Sequence, residues 1–97
     1  MMYTLAFRTK ALKQWRALDP SVRRELLQVL EKRLLNPYVP SSRLRDDLSH
    51  CYKIKLRKAG VRLVYFPDGE NFVVLVIAVG KRDGGEVDRE ASREILG

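Results

Sequence analysis

A chain of 97 residues, 45% of them hydrophobic, is long enough for one small domain and too short for two. Its 19 lysines and arginines exceed its 12 acidic residues, and the resulting net charge of +7 favours a polyanionic partner such as nucleic acid. The single cysteine excludes an internal disulfide, and the longest apolar run, residues 72–79, is too short to cross a bilayer as a helix. We therefore expect a cytoplasmic protein with one domain over residues 1–97 and no membrane partner.

The first half of the chain is predicted to form one strand and two helices. Apolar residues alternate over residues 2–7, as on a strand, and then recur at three- and four-residue steps, as on a helix that ends before Asp19. Asp19 can cap a second helix, Pro20 suits its first turn, and the helix should stop at Asn36. The charged residues between its apolar positions have mixed signs and predict a solvated face: Arg23, Arg24, Glu25, Glu31, Lys32 and Arg33.

The second half is predicted to form three consecutive strands and a short helix. Apolar and cationic residues alternate over residues 52–57, and Ala59–Gly60 would make a two-residue turn into the next strand. Residues 72–79 are all apolar, which is typical of a central strand covered on both faces. Residues 80–85 form a polar connector, and the weak apolar stripe over residues 87–96 predicts a terminal helix.

This order of elements predicts an α+β fold. We expect a small, mostly antiparallel four-stranded sheet with two N-terminal helices packed on one face and a short C-terminal helix. The opposite face should then carry the residues not used for packing, and those residues are mostly cationic. The functional site is expected on that face.

A cationic run provides the candidate site. Between Lys53 and Arg62 the chain carries five cations and no acid. Strand alternation places Lys53, Lys55 and Arg57 on one face at steps of about 6 to 7 Å, which resembles the spacing of neighbouring phosphates. With a two-residue turn at 59–60, Arg57 would lie opposite Arg62. Repulsion within such a cluster would lower a lysine pKa and allow it to act as a base; the alternative is passive phosphate binding.

Other catalytic arrangements are poorly represented. His50 is the single histidine, which excludes a ribonuclease that works with paired histidines. His50 and Cys51 are adjacent on an extended segment, so their side chains should point to opposite faces rather than form a thiol–imidazole pair. Asp46 and Asp47 lack further ligands for a metal. We expect no metal and no other cofactor.

Five short segments of the sequence, taken in order, form one pattern. They are LKQWR at residues 12–16, CYKIKLR at 51–57, GVRLVY at 60–65 and VGKR at 79–82, with RLR at 43–45 before the cationic strand. In this order and spacing they resemble the RelE toxins of the RelE/ParE toxin–antitoxin superfamily, and the match spans nearly the whole chain. The resemblance implies a compact sheet with two helices on one side, in agreement with the periodicity.

The resemblance also implies a reaction, the ribosome-dependent cleavage of messenger RNA in the A site, which inhibits translation. The RNA 2′-hydroxyl attacks its own phosphate without a metal and leaves a 2′,3′-cyclic phosphate. By resemblance, Lys55 is the general base, and Lys53 and Arg62 stabilise the developing charge. Arg82 is the general acid or, because guanidinium holds its proton so firmly, an electrostatic clamp. The remaining cations implied to bind RNA or the ribosome are Arg43, Arg45, Arg57, Lys58 and Lys81.

The partners implied by the resemblance are a cognate acidic, RelB-like antitoxin, the 70S ribosome with its mRNA and rRNA, and operator DNA reached through the antitoxin complex. An antitoxin could inhibit by displacing the predicted terminal helix. Two alternatives remain: a ParE-like gyrase-directed toxin of the same fold, against which the cationic set argues, and a non-catalytic nucleic-acid-binding module. The second alternative predicts retention of RNA without cleavage.

Asp88 is one departure from the family pattern. RelE toxins commonly have a tyrosine at this place in the terminal segment, near the scissile nucleotide. An aspartate cannot stack on a base, and it adds a negative charge near the phosphate. The buried alternation of Tyr52 and Tyr65 predicts that neither ring replaces it.

Overall fold

Four strands and three α-helices make up the part of the chain that the structure describes, residues 2–81 and 85–96. The structure is a computed structural model. None of the described helices is long and apolar enough to cross a membrane. In chain order the elements are β1 (Thr4–Phe7), α1 (Thr9–Arg16), α2 (Pro20–Leu35), two short 3-10 helices (Pro40–Ser42 and Asp46–Leu48), β2 (Tyr52–Leu56), β3 (Val61–Asp68), β4 (Val73–Lys81) and α3 (Glu86–Leu96).

The sheet has the order β1-β4-β3-β2. The pairs β2–β3 and β3–β4 are antiparallel, whereas β1 runs parallel to β4. Along the chain, both helices of the first half lie between β1 and β2. In the sheet, β1 lies beside β4, the last strand. The predicted α+β fold with a mostly antiparallel four-stranded sheet is confirmed.

The second helix begins and ends where the sequence predicts. The carboxylate of Asp19 accepts a hydrogen bond from the backbone N–H of Ser21 at 2.9 Å, and Pro20 occupies the first helical position. The helix ends at Leu35, before Asn36. A side-chain acceptor at the N-cap satisfies an N–H group that would otherwise lack a partner, which fixes the start of the helix.

Helices cover both faces of the sheet. On one face, Leu26 and Leu30 of α2 are fully buried in the main core. On the other face, Val87 and Ala91 of α3 belong to a second core with Ile77 and other residues. Part of the face that was expected to be cationic is therefore apolar and covered. The reason lies in β4, which is apolar on both faces and must be buried on both.

The β2–β3 turn differs from the prediction. The connection spans Arg57–Gly60 rather than two residues, and Gly60 adopts a positive φ of 66°. Its N–H donates to the carbonyl of Arg57 at 3.2 Å. In the resulting register Lys55, not Arg57, pairs with Arg62, so the predicted Arg57–Arg62 pair is wrong.

The last strand is shifted relative to the prediction. Phe72 precedes it with a φ of 53° and an exposed side chain, and the strand extends through Gly80 and Lys81. Gly80 pairs with Arg62 across β3 and β4. The predicted polar connector over residues 80–85 therefore begins too early, because pairing with β3 keeps even polar residues extended.

Candidate active site

A cleft of about 590 Å³ opens beside β2 and β3 on the α3 side of the sheet. Its walls come from three parts of the chain: the two strands, the connection that contains the 3-10 helices, and one side of α3. Cations converge in it, with three acidic residues among them. The charged lining residues are Arg43, Arg45, Asp46, Asp47, Lys53, Arg62, Asp88 and Arg89.

Two predicted catalytic residues, Lys53 and Arg62, line this cleft directly. Lys55 is the cross-strand partner of Arg62, and Lys53 lies two residues earlier on the same face of β2. All three therefore project from the same side of the sheet, on adjacent strands. Arg82 lies outside the described residues.

The predicted RNA-binding cations divide into two groups. Arg43 and Arg45 line the cleft from the connection between α2 and β2. Arg57 and Lys58 are exposed in the β2–β3 turn, and neither lines the cleft. Lys81, exposed at the end of β4, borders a separate cavity of about 240 Å³. The geometry thus brings the first pair to the candidate site and leaves the other three outside it.

Arg62 is held by the residue that departs from the family pattern. Its Nη1 donates to Oδ2 of Asp88 at 2.7 Å, with the two side chains 17% and 31% exposed. Arg62 Nε and Asp88 Oδ1 are buried and have no hydrogen-bond partner within the described ranges. The pairing joins β3 to α3 across the floor of the cleft. Sequence reasoning singled out Asp88 as a departure but did not predict this ion pair.

Helix α3 is also fastened to α1. Arg8 Nε lies 3.4 Å from Oε1 of Glu94, and Lys10 Nζ lies 3.8 Å from Oε1 of Glu90. The Gln14 amide donates to Glu90, and its oxygen accepts the Val79 N–H at 3.1 Å. These contacts fix the helix that carries Asp88.

Arg33 anchors the connection that carries the cleft arginines. Its guanidinium donates to the Tyr65 hydroxyl at 2.9 Å and to Ser42 Oγ at 3.2 Å. The Tyr65 hydroxyl in turn donates to the carbonyl of Pro37 at 2.7 Å. Arg33 is thus half-buried and structural, and its assignment to a solvated face is wrong for this residue.

The aromatic and sulfur side chains near the cleft are buried. Tyr52 and Tyr65 stack on each other with ring centroids 5.8 Å apart, and both lie in the core, as predicted. Burial, followed by the charge of Asp47, raises the pKa of the Cys51 thiol to about 11. A thiol with this pKa stays protonated near neutral pH and is a poor nucleophile. His50 beside it is exposed.

Within residues 2–81 and 85–96, no group of three or more His, Cys, Asp or Glu side chains is arranged to hold a metal ion. The charged groups that converge in the cleft are mainly guanidinium and ammonium groups, which suit phosphate oxygens. The arrangement can bind a phosphodiester and stabilise additional negative charge on it.

Known proteins resemble this chain over almost its full length. A family model described as "ParE toxin of type II toxin-antitoxin system, parDE" matches residues 5–84. The mRNA interferase toxin RelE of Escherichia coli strain K12 is 47% identical over 96 residues, which are 99% of this chain and 100% of that protein. A solved structure of E. coli toxin RelE, a double arginine-to-alanine mutant in the free state, has a TM-score of 0.89 at 46% identity, covering 99% of this chain and 100% of that chain. The intact E. coli RelBE toxin–antitoxin complex contains a chain with a TM-score of 0.78 at 47% identity, over 81% of this chain and 95% of that chain.

Proposed function

This chain belongs to the RelE/ParE family of type II toxin–antitoxin toxins, and on that premise we propose that it is an endoribonuclease that cuts messenger RNA in the ribosomal A site. The observation that carries the proposal is the convergence of Lys53, Arg62, Arg43 and Arg45 on one cleft. The similarity to the mRNA interferase toxin RelE of E. coli supports the choice of substrate. Residues 1–97 act as a single toxin domain, in the cytoplasm, where its substrate is translated.

The proposed reaction combines Lys53 and Arg62 of the cleft with Lys55, the cross-strand partner of Arg62, and with Arg82. Lys55, in its neutral form, removes the proton of the RNA 2′-hydroxyl, and the oxygen attacks the adjacent phosphorus. The bond to the 5′-oxygen breaks, so the products are a 2′,3′-cyclic phosphate and a 5′-hydroxyl. Lys53 and Arg62 neutralise the charge that builds up on the phosphoryl oxygens. Arg82 stabilises or protonates the leaving oxygen, an assignment that rests on the family resemblance.

The ribosome positions the substrate, and the cations outside the chemical step hold the toxin there. Arg43 and Arg45 contact RNA along the wall of the cleft that the α2–β2 connection forms. Arg57, Lys58 and Lys81 are exposed and reach RNA or ribosomal surface away from the cleft. Such contacts contribute affinity and orientation without direct catalytic effect.

An acidic, RelB-like antitoxin silences the toxin. The complex of E. coli RelE with RelB supports this type of partner. Three ion pairs in the described residues fasten α3, and an acidic partner can compete for the cations in each of them. We expect the antitoxin to displace α3 and to carry the complex to operator DNA, where the pair represses its own operon. Unchanged amide protection along α3 on antitoxin binding would contradict the displacement.

A gyrase-directed activity is the second candidate, because the matching family model is described as a ParE toxin. The cationic set at Lys53, Lys55 and Arg62 favours RNA cleavage, since a toxin that acts on a protein target does not require it. Inhibition of DNA supercoiling by the purified chain, with the messenger left intact, would favour the ParE-like activity.

The decisive experiment maps cleavage of a programmed messenger with and without ribosomes. We expect cuts only on ribosomes, with 2′,3′-cyclic phosphate ends, and their loss in Lys55→Ala and Arg82→Ala. Lys32→Ala, on the exposed side of α2, is the matched control and should cut like the wild type. An intact messenger together with retained RNA binding would contradict the nuclease and favour the binding module.

A further inference from the structure

The Arg62–Asp88 ion pair occupies the point at which the proposed reaction needs a phosphate. Arg62 Nη1 lies 2.7 Å from Oδ2 of Asp88, and both side chains line the 590 Å³ cleft. Arg62 projects from the middle of the sheet, whereas Asp88 reaches it from the first turn of α3. A carboxylate therefore already neutralises the guanidinium that should bind the substrate.

We propose that Asp88 is an intramolecular mimic of the RNA phosphate, competing with the substrate for Arg62 and so setting the affinity of the toxin for RNA. The inference rests on the proposed function, because it takes Arg62 as a phosphate-binding residue. It assigns to Asp88 a role as a determinant of substrate affinity. RNA must break the ion pair before its phosphate can contact Arg62.

The geometry of the pair explains why a phosphate can replace the carboxylate. Only one nitrogen of Arg62 reaches Asp88, and Arg62 Nε and Asp88 Oδ1 have no partner within residues 2–81 and 85–96. A buried polar atom without a hydrogen bond is unfavourable. A phosphodiester offers two unesterified oxygens, and guanidinium binds such a group through two parallel hydrogen bonds. The substrate can thus form a second hydrogen bond to the guanidinium, which the single contact with Asp88 does not provide.

The competition is local to one turn of the helix. Glu90 and Glu94 hold α3 to α1 at a different surface, through Lys10 and Arg8. Val87 and Ala91 hold the helix against the sheet. Asp88 can therefore release Arg62 by a side-chain rotation or a small shift of the first turn, while these contacts keep the rest of α3 in place.

The test measures binding of the full chain to a short single-stranded RNA in which every 2′-hydroxyl is methylated, so that 2′-hydroxyl attack cannot occur. We expect Asp88→Asn to bind about tenfold more tightly than the wild type, because a like-charge contact beside the phosphate is removed. The plot of log affinity against log salt should steepen by about 0.7, the increment for one additional counterion released from single-stranded RNA. Asp88→Ser should tighten binding to the same extent, and Asp88→Glu should restore an affinity within about twofold of the wild type.

Two further variants separate this inference from the proposed function. Asp46→Asn removes the same charge from the cleft without touching Arg62, and it should give a smaller gain. In the Arg62→Ala background, Asp88→Asn should give no gain, because the competition no longer exists. If Arg62→Ala binds RNA as well as the wild type, the cleft is not the RNA site and the proposed function fails. If Arg62→Ala weakens binding while Asp88→Asn leaves it unchanged or weaker, the mimicry is refuted and the proposed function stands.

Discussion

Tyr65 links the sheet to the connection that carries the cleft arginines, through the hydrogen bonds of its hydroxyl group. The hydroxyl donates to the Pro37 carbonyl and accepts from Arg33, in a fully buried position. Tyr65→Phe should lower the free energy of unfolding by about 1 to 3 kcal/mol, because the buried Pro37 carbonyl loses the hydroxyl that donates to it and the half-buried Arg33 loses one acceptor. Urea denaturation measures the change. Tyr52→Phe is the control, since the Tyr52 hydroxyl makes no hydrogen bond to a described residue; equal losses in both variants would contradict the role of the Tyr65 hydroxyl.

Cys51 should make the stability depend on pH in the alkaline range. Its folded pKa is about 11, whereas the unfolded thiol ionises near 9, so the folded state retains the proton between these values. The free energy of unfolding should therefore fall as the pH rises from about 9 to about 11, by about 2 kcal/mol from this group. Cys51→Ala should lack this part of the decline. Val64→Ala, in the same core cluster, should lower stability by an amount that does not change with pH; a Cys51→Ala profile parallel to the wild type would contradict the assignment.

The sequence allowed the cationic residues of the site to be identified, but not their cross-strand partners. Lys53 and Arg62 could be identified because a cationic run without acids is visible in the sequence. Their neighbours could not, because the four-residue turn sets the register and moves Lys55, instead of Arg57, opposite Arg62. A shift in turn length changes every cross-strand pair, and the sequence around Gly60 allowed two lengths.

At the scale of elements, Gln14 joins α1, α3 and the edge of β4. Strand β1 ends opposite Val76, so beyond that point β4 has no neighbouring strand on this side. The Gln14 side-chain oxygen accepts the hydrogen bond from the Val79 N–H that a neighbouring strand would otherwise accept. The Gln14 amide nitrogen donates to Glu90 of α3. Helical periodicity does not reveal this role, since glutamine is a common residue on exposed helix faces.

Gln14→Ala should loosen α3. The Val79 N–H and Glu90 both lose a partner, and we expect a cost of about 1 to 3 kcal/mol. Amide hydrogen exchange should show reduced protection along α3 while the centre of the sheet stays protected. Gln28→Ala, on the exposed side of α2, is the matched control. Equal exchange rates in α3 for both variants would count against the bridge.

Element boundaries were predictable where a side chain specifies them. Asp19 and Pro20 mark the start of α2 through capping and a fixed φ, and the structure has both at the predicted positions. Strand β4 was misplaced at both ends, because its limits depend on pairing with β3 rather than on its own residues. The apolar stripe of α3 predicted a helix, but only the buried second face of β4 explains where that helix lies.

At the scale of the whole molecule, the net charge of +7 is distributed unevenly. Each of the three ion pairs described above has its carboxylate on α3, and the cations come from β3, from α1 and from Arg8, which directly precedes α1. The helix thus neutralises one part of the basic surface. Arg43 and Arg45 lie on the opposite wall of the cleft and are exposed. These two cations therefore remain available for RNA at the cleft.

The salt dependence of RNA binding should report this footprint rather than the net charge. If Lys53, Arg43 and Arg45 each neutralise one phosphate while Arg62 only exchanges Asp88 for a phosphate, log affinity of the wild type should fall with log salt with a slope of about −2 for single-stranded RNA. Arg45→Gln should make the slope shallower by about 0.7. Lys32→Gln removes the same charge on the exposed side of α2, away from the cleft, and should leave the slope unchanged. Titration of the 2′-O-methylated RNA over a series of salt concentrations measures all three slopes. Equal changes for Arg45→Gln and Lys32→Gln would mean that RNA follows the overall charge of the molecule, and the cleft would lose its status as the binding site.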